Sequence, residues 1–507
     1  MLKHIFSNWM GLIVLGSISA ILMPAMVHGL GSLYYGMWVL VGSLIDYSGL
    51  LDLGMRATVF RYVAYFKGAD RRSDLNETFA TGLVIAVSAM CLCASAFFGL
   101  AFVLPSFFKF GGADKVTFFR VILLMGASLS IAIPGQFLSA YLRGLDRFDL
   151  YNLGLIVHGI LRGALLLIIL KMGFGIIPVT TGVLAGAIFF LVLHWRLVRW
   201  ADQGLTVSFK QLNWRRTREM FSFGFYSFVY NSGETLRYST DSFVIGRMLT
   251  VALVTPFSVA TRLMEYFKTL SGGVSGPLMV RITGLTGKER HHELRTEFLR
   301  STRFSMLLCL FIGGLLIVDG KTLIRLWVGP QYLISYSILV VLTIAYIALL
   351  GQTPSSLLVF AHARHHRALS WWTLAEGALN LLLSVWWARK YGLLGVALGT
   401  AIPLIASKVL VQPWYALRDL SISWWRYFRQ GLARPLVAGG IFLTVSWFLT
   451  NRFNMPLNLI ELALTCACQT LLFVALTYLV GLSKVDKGTV REQGRRLVTA
   501  LGLARSL

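Results

Sequence analysis

Between Phe221 and Leu249 the chain reads FSFGFYSFVYNSGETLRYSTDSFVIGRML, an apolar stretch long enough to cross a bilayer, with Glu234, Arg237 and Asp241 near its middle. An ionised side chain at that depth is costly, so such residues mark a polar pathway or an ion pair. Spacings of three and four residues put Arg237 on the same helical face as both acids. The chemistry open to this stripe is ionic. The guanidinium can hold an anion, and the carboxylates can take up and release a proton or a cation.

The same kind of residue recurs in other apolar stretches. Arg162 lies near His158, Arg262 near Glu265 and Lys268, and Asp46, Asp52 and Arg56 follow one another early in the chain; Glu376 and Lys408 stand alone. Arg237, Arg262, Lys268, Arg56, Arg162 and Lys408 are the candidate substrate-binding cations, suited to an anion such as a lipid pyrophosphate. Glu234, Asp241, Glu265 and Asp46 are the candidates to couple an ion. The alternative is that acids and bases pair within the bundle, as Arg237 can with Asp241 and Arg262 with Glu265.

Other chemistries find no footing. There is no glycine-rich phosphate loop, no G-x-S-x-G elbow and no H-E-x-x-H, and no loop is long enough to hold a nucleotide-binding domain, so no enzyme activity and no cofactor are expected. The cluster AHARHHRA, with His362, His365 and His366, lacks acid or thiol companions and reads as a solvated basic turn. Cys91, Cys93, Cys309, Cys466 and Cys468 fall within apolar stretches, and each C-x-C pair diverges by roughly 200° around a helix, which argues against disulfides and metal sites.

The elements that must position these charges are membrane helices. A chain of 507 residues that is 56% hydrophobic and 14% charged would expose large apolar patches as a soluble protein. Fourteen apolar stretches, centred from Ser19 to Phe473, are each near the roughly 20 residues a spanning helix needs. They are too long for barrel strands and lack the alternation of one, so an all-α polytopic membrane fold is expected. The first stretch, containing Pro24, reads as a retained helix and not a cleaved signal peptide, and Gly29 to Gly36 as a glycine-rich exterior loop.

With both termini in the cytoplasm, 31 of the 47 Lys and Arg fall in interior segments and nine outside, which sets the expected orientation. The net charge of +25 is then mostly topology. It is dispersed over short loops with no basic domain to form a groove, so membrane lipids and not nucleic acid are the expected partners.

Two stretches carry a family resemblance. The run GLGSLYYGMWVLVGSLIDYSGLLDLGMRATVFRYVA resembles the first two helices of bacterial polysaccharide and O-antigen flippases, a family within the superfamily that also holds multidrug and toxic-compound extrusion transporters. The run DSFVIGRMLTVALVTPFSVATRLMEYFKTLSGGVSGPLMVRITGL is similar to that family's seventh and eighth helices. The resemblance implies alternating access, a lipid-linked oligosaccharide as substrate, and residence in the bacterial cytoplasmic (inner) membrane. A polysaccharide polymerase and glycosyltransferases would be its working partners.

A repeat in the chain points to duplication. Pro134 in PGQFLSAYLRGLDRF and Pro354 in PSSLLVFAHARHHRA are separated by nearly the same interval as KMG at Lys171 and KYG at Lys390. The expected organisation is an N-terminal lobe over residues 1–200 (helices one to six), a basic cytoplasmic linker over 201–218, and a C-terminal lobe over 219–420 (helices seven to twelve). Helices thirteen and fourteen follow over 421–482, then a basic amphipathic tail over 483–507.

The reading that joins these features is a flippase moving a polyprenyl-pyrophosphate-linked oligosaccharide from the inner to the outer leaflet. A cation-coupled multidrug exporter is the first alternative. A membrane enzyme acting on the same lipid carrier is the second, disfavoured by the short exterior loops.

Overall fold

In the computed structural model, residues 2–48, 55–206, 225–272, 291–361, 363–452 and 458–483 are described, with positions 278, 282, 284, 285, 486–488 and 492. No strand occurs among them. The helices are α1 (Leu2–Ser48), α2 (Met55–Gly68), α3 (Arg72–Phe107), α4 (Gly112–Gly144), α5 (Phe148–Lys171), α6 (Ile176–Ala201), α7 (Phe225–Met248) and α8 (Val254–Gly272). They continue as α9 (His291–Trp327), α10 (Ser335–Gly351), α11 (Thr353–Ala361), α12 (Ala363–Ala406), α13 (Gln412–Asp419), α14 (Trp424–Tyr427), α15 (Ala433–Arg452) and α16 (Leu459–Leu476). π-helical turns at Ser407–Val411, Phe428–Leu432 and Thr477–Gly481 extend several of them.

Every span centre expected from the sequence is helical except Gly49, which lies outside the described residues. By length and apolarity alone, nine helices among the described residues qualify as membrane spans, or ten with the pair Ser335–Gly351 and Thr353–Val359, bent by 46°. Two causes lower that number below fourteen. α1 and α12 each run two expected spans together across a bend, and the charged residues of α7 and α8 dilute their hydropathy. The protein is a multi-pass membrane protein, and Leu92, Phe98, Phe102, Trp386, Trp447 and Leu471 are the exposed apolar side chains that a lipid-facing surface presents.

The bends sit at glycines for a steric reason. Gly31 (φ 74°) breaks α1 where a longer exterior loop was expected, so the first two spans abut directly. In the KMG and KYG repeats, Gly173 (φ 74°) and Gly392 (φ 58°) both take the left-handed conformation that glycine tolerates best, each between consecutive spans. Pro134 lies within continuous α4, whereas Pro354 begins the second piece of the broken α10–α11 pair.

The chain packs as two compact units. The first comprises Met1–Ser258 with Ala368–Gly399, and the second Val259–Arg367 with Thr400–Leu507. In the first, Val59, Val63, Phe79, Phe137, Tyr141 and Val198 form a buried cluster in which the rings of Phe79 and Tyr141 meet edge to face at 4.7 Å. Tyr141 donates a 2.7 Å hydrogen bond to buried Asp202, which also receives Arg72, so α3, α4 and the end of α6 are tied together. In the second, Phe442 and Phe473 pack at 5.0 Å, and Asp486 is buried beneath Arg303 and Arg300.

Candidate functional site: the charged seam of α7 and α12

Within the first unit, α7 crosses the first half of α12 through glycines. A Cβ on Gly377 would lie 2.8 Å from Gly233 O, and one on Gly233 would lie 2.6 Å from the backbone of Thr373. Only residues without side chains permit backbones this close, the small-residue logic of membrane helix crossings. The crossing brings Arg237, one turn further along α7, beside Glu376 of α12.

Arg237 is 1% exposed and has two carboxylates on its guanidinium. Glu234, on its own helix and 23% exposed, pairs with one nitrogen; Glu376, 2% exposed, lies 2.7 Å from the other. Asn380 Nδ2 donates to Arg237 O at 2.9 Å, which joins the two helices a turn beyond the ion pair. A charge this deep is tolerated because opposite charge lies at contact distance.

A second polar group continues from it. Ser384 Oγ lies 2.9 Å from Asn380 Oδ1, 3.5 Å from Asp241 Oδ1 and 3.3 Å from Val396 O. A hydroxyl has one proton for these three acceptors. Carboxylate, amide, hydroxyl and carbonyl oxygens gathered in this way are the donor class that suits a proton or a small hard cation. Counting Glu234, Glu376 and Asp241 against Arg237, the seam is rich in negative charge.

The structure thus brings together Glu234, Arg237 and Asp241 of the expected site. Arg162 lies on another helix pair of the same unit, its stem packed near Gly186 of α6. In the second unit, Arg262 pairs with Glu265 at 2.5 Å on the partly exposed face of α8, where Lys268 is also exposed. Lys408 is buried in the π-helical turn that follows α12. The side chains of Asp46, Arg56, His365 and His366, and the residues Asp52 and His362, lie outside what the structure describes.

Sequence reasoning noted Glu376 but gave it no role, and it missed Asn380 and Ser384. A signal was present. Glu376, Asn380 and Ser384 recur every four residues, which places them on one helical face in an otherwise apolar span.

The described residues form an all-helical, multi-pass membrane bundle with charged residues held within its spans. A family model described as Polysaccharide biosynthesis protein matches residues 67–337, just over half of the chain, and the chain belongs to that family. It is 20% identical over 399 residues to a Shigella flexneri protein provisionally named an O-antigen transporter, covering 78% of this chain and 93% of that one. It is 25% identical over 249 residues to a Haloferax volcanii protein provisionally named the low-salt glycan biosynthesis flippase Agl15, covering 47% and 51%. Among solved structures, the lipid II flippase MurJ in an inward closed conformation shares the fold with a TM-score of 0.71 at 14% identity, over 94% of this chain and 98% of that one.

Proposed function

We propose that this protein is a flippase carrying a polyprenyl-pyrophosphate-linked oligosaccharide from the inner to the outer leaflet of the bacterial cytoplasmic membrane by alternating access. The observation that carries the reading is the match to the O-antigen transporter of Shigella flexneri over nearly all of that protein's length. Both termini face the cytoplasm, fourteen spans form two six-helix lobes with two added helices, and the polymerase and glycosyltransferases of the same polysaccharide are its partners.

In this reading Arg262, Lys268, Arg56, Arg162, Lys408 and Arg237 supply positive charge for the pyrophosphate. Glu234, Asp241, Glu265 and Asp46 are the ion-coupling groups. Asp241 has the support of the oxygens around Ser384, and the engagement of Arg237 by two acids makes it the cation whose role is most open to test.

The carboxylate-rich seam of α7 and α12 favours a second reading, a cation-coupled exporter of small cationic compounds. One experiment separates the two. Each of the six cations is changed to Gln in cells that depend on this protein for surface glycan, and membrane abundance is measured beside glycan output and resistance to cationic dyes. Lost glycan at normal abundance supports the flippase. Normal glycan in all six variants refutes the head-group site, and lost dye resistance with intact glycan favours the exporter.

A further inference from the structure

Within the second unit, α9 carries an acid that no part of the mechanism above uses. Asp319 is 3% exposed, and neither of its carboxylate oxygens makes a hydrogen bond to a described protein group. Gln469 of α16 faces it, itself buried, and neither its amide nitrogen nor its amide oxygen reaches hydrogen-bond geometry with a described group. Gln469 is the amide that meets the Asp319 carboxylate, at the limit of hydrogen-bond geometry.

The helix register adds a third element. α9 and α15 run in parallel, since a Cβ on Gly439 would meet Leu310 at 2.9 Å and one on Gly314 would meet Phe442 at 2.7 Å. One more turn along both helices sets Ser446 of α15 level with Asp319. The Ser446 hydroxyl is fully buried and without a described partner, as is that of Thr450 a further turn on. Below this level, Phe311 packs at a tilt against Phe473 at 5.1 Å and Phe442 packs against both, so an aromatic layer closes one side.

We propose that Asp319, Gln469 and Ser446 form a buried site for a small monovalent cation, a proton or an alkali ion, at the seam of α9, α15 and α16. A carboxylate in low dielectric calls for one positive charge nearby, and an amide oxygen with hydroxyl oxygens supplies the remaining donors of a hard-cation site. Among the described residues, none places that charge on the carboxylate. Among the described residues, titratable groups that sense Asp319 are Tyr336 of α10, whose hydroxyl donates to Ile317 O at 2.7 Å, and Cys466 of α16, and neither is a cation. Lys321 of α9 and Arg452 of α15 are exposed, Arg325 of α9 is half-buried nearly two turns beyond Asp319, and the other charge of α16, Glu461, is an exposed acid. Because the donors come from three helices, occupancy binds the last two spans to α9.

The test is thermal unfolding of the full-length protein, purified in detergent in an Asp241→Asn background so that the α7–α12 seam does not contribute. Sodium chloride replaces choline chloride at constant pH and ionic strength, and pH is then varied in choline alone. A saturable rise of Tm with sodium identifies an alkali ion, and a response to pH alone identifies a proton. Adding Asp319→Asn must remove whichever response is seen. Gln469→Leu, which keeps the charge and removes a donor, must shift the midpoint of that response by about tenfold, and it serves also if the aspartate variant does not fold. The proposal is overturned if Asp241→Asn responds to neither variable, or if its response survives Asp319→Asn or is unmoved by Gln469→Leu.

Discussion

Arg237 of α7 reaches Glu376 of α12 at 2.7 Å, one turn from the point where Gly233 and Gly377 let the two backbones touch. The residues lie far apart in sequence, and both are within 2% of complete burial. Breaking such a pair leaves one charge uncompensated, at a cost of about 3–5 kcal/mol, whereas removing both charges together costs far less. Arg237→Gln and Glu376→Gln should each lower Tm sharply, and the double variant should recover most of the loss. Additive losses would mean that the two groups are not coupled in the folded protein. If Arg237 also serves the substrate, the double variant should be stable yet deficient in glycan output.

The glycine crossing is expected to be intolerant of a single methyl group. In Gly377→Ala the new Cβ would meet Gly233 O at 2.8 Å and Leu236 Cβ at 2.9 Å, so α7 and α12 must separate. Overpacking of this kind costs about 1–3 kcal/mol. Reduced Tm and reduced membrane abundance are the expected results. Gly440→Ala, where an added Cβ meets nothing within 4 Å, is the control that should stay near wild type.

The Tyr141–Asp202 bond offers a cleaner measure of a polar tie. Tyr141→Phe keeps the ring against Phe79 and removes the 2.7 Å hydrogen bond to Asp202, which retains Arg72. A loss of about 1–3 kcal/mol is expected. In unfolding melts the variant should fall below wild type, and Asp202→Ala, which strands both partners, should fall further. Equal stability of Tyr141→Phe and wild type would show that the bond contributes nothing net.

Orientation is open to chemical labelling. In a protein whose five native cysteines are replaced, single cysteines at Asn451 and Gly488, both exposed, mark opposite ends of the last spans. With cytoplasmic termini, an impermeant maleimide added to intact cells labels the first position and not the second. The reverse pattern would invert the topology and with it the positive-inside assignment.

The helices, and the positions of charge along them, were legible without any structure. Apolar stretches near the thickness of a bilayer leave the backbone no alternative to helix, because every N–H and C=O must be bonded within its own segment. KMG and KYG were legible only as landmarks of a repeat; it is the structure that puts Gly173 and Gly392 in a backbone conformation that other residues resist. Glu234, Arg237 and Asp241 were conspicuous because charge is rare at their depth, and the pairing of Arg262 with Glu265 followed from a three-residue spacing on one helix. What no local rule could reach was the partner on another helix. Spacing rules see neighbours within about four residues, whereas Glu376 meets Arg237, and Ser384 meets Asp241, only because Gly233 and Gly377 set the register of two helices distant in the chain. Tertiary packing alone decided that Arg237 is shared between two acids and that Asp319 and Gln469 look at each other across a seam of three helices.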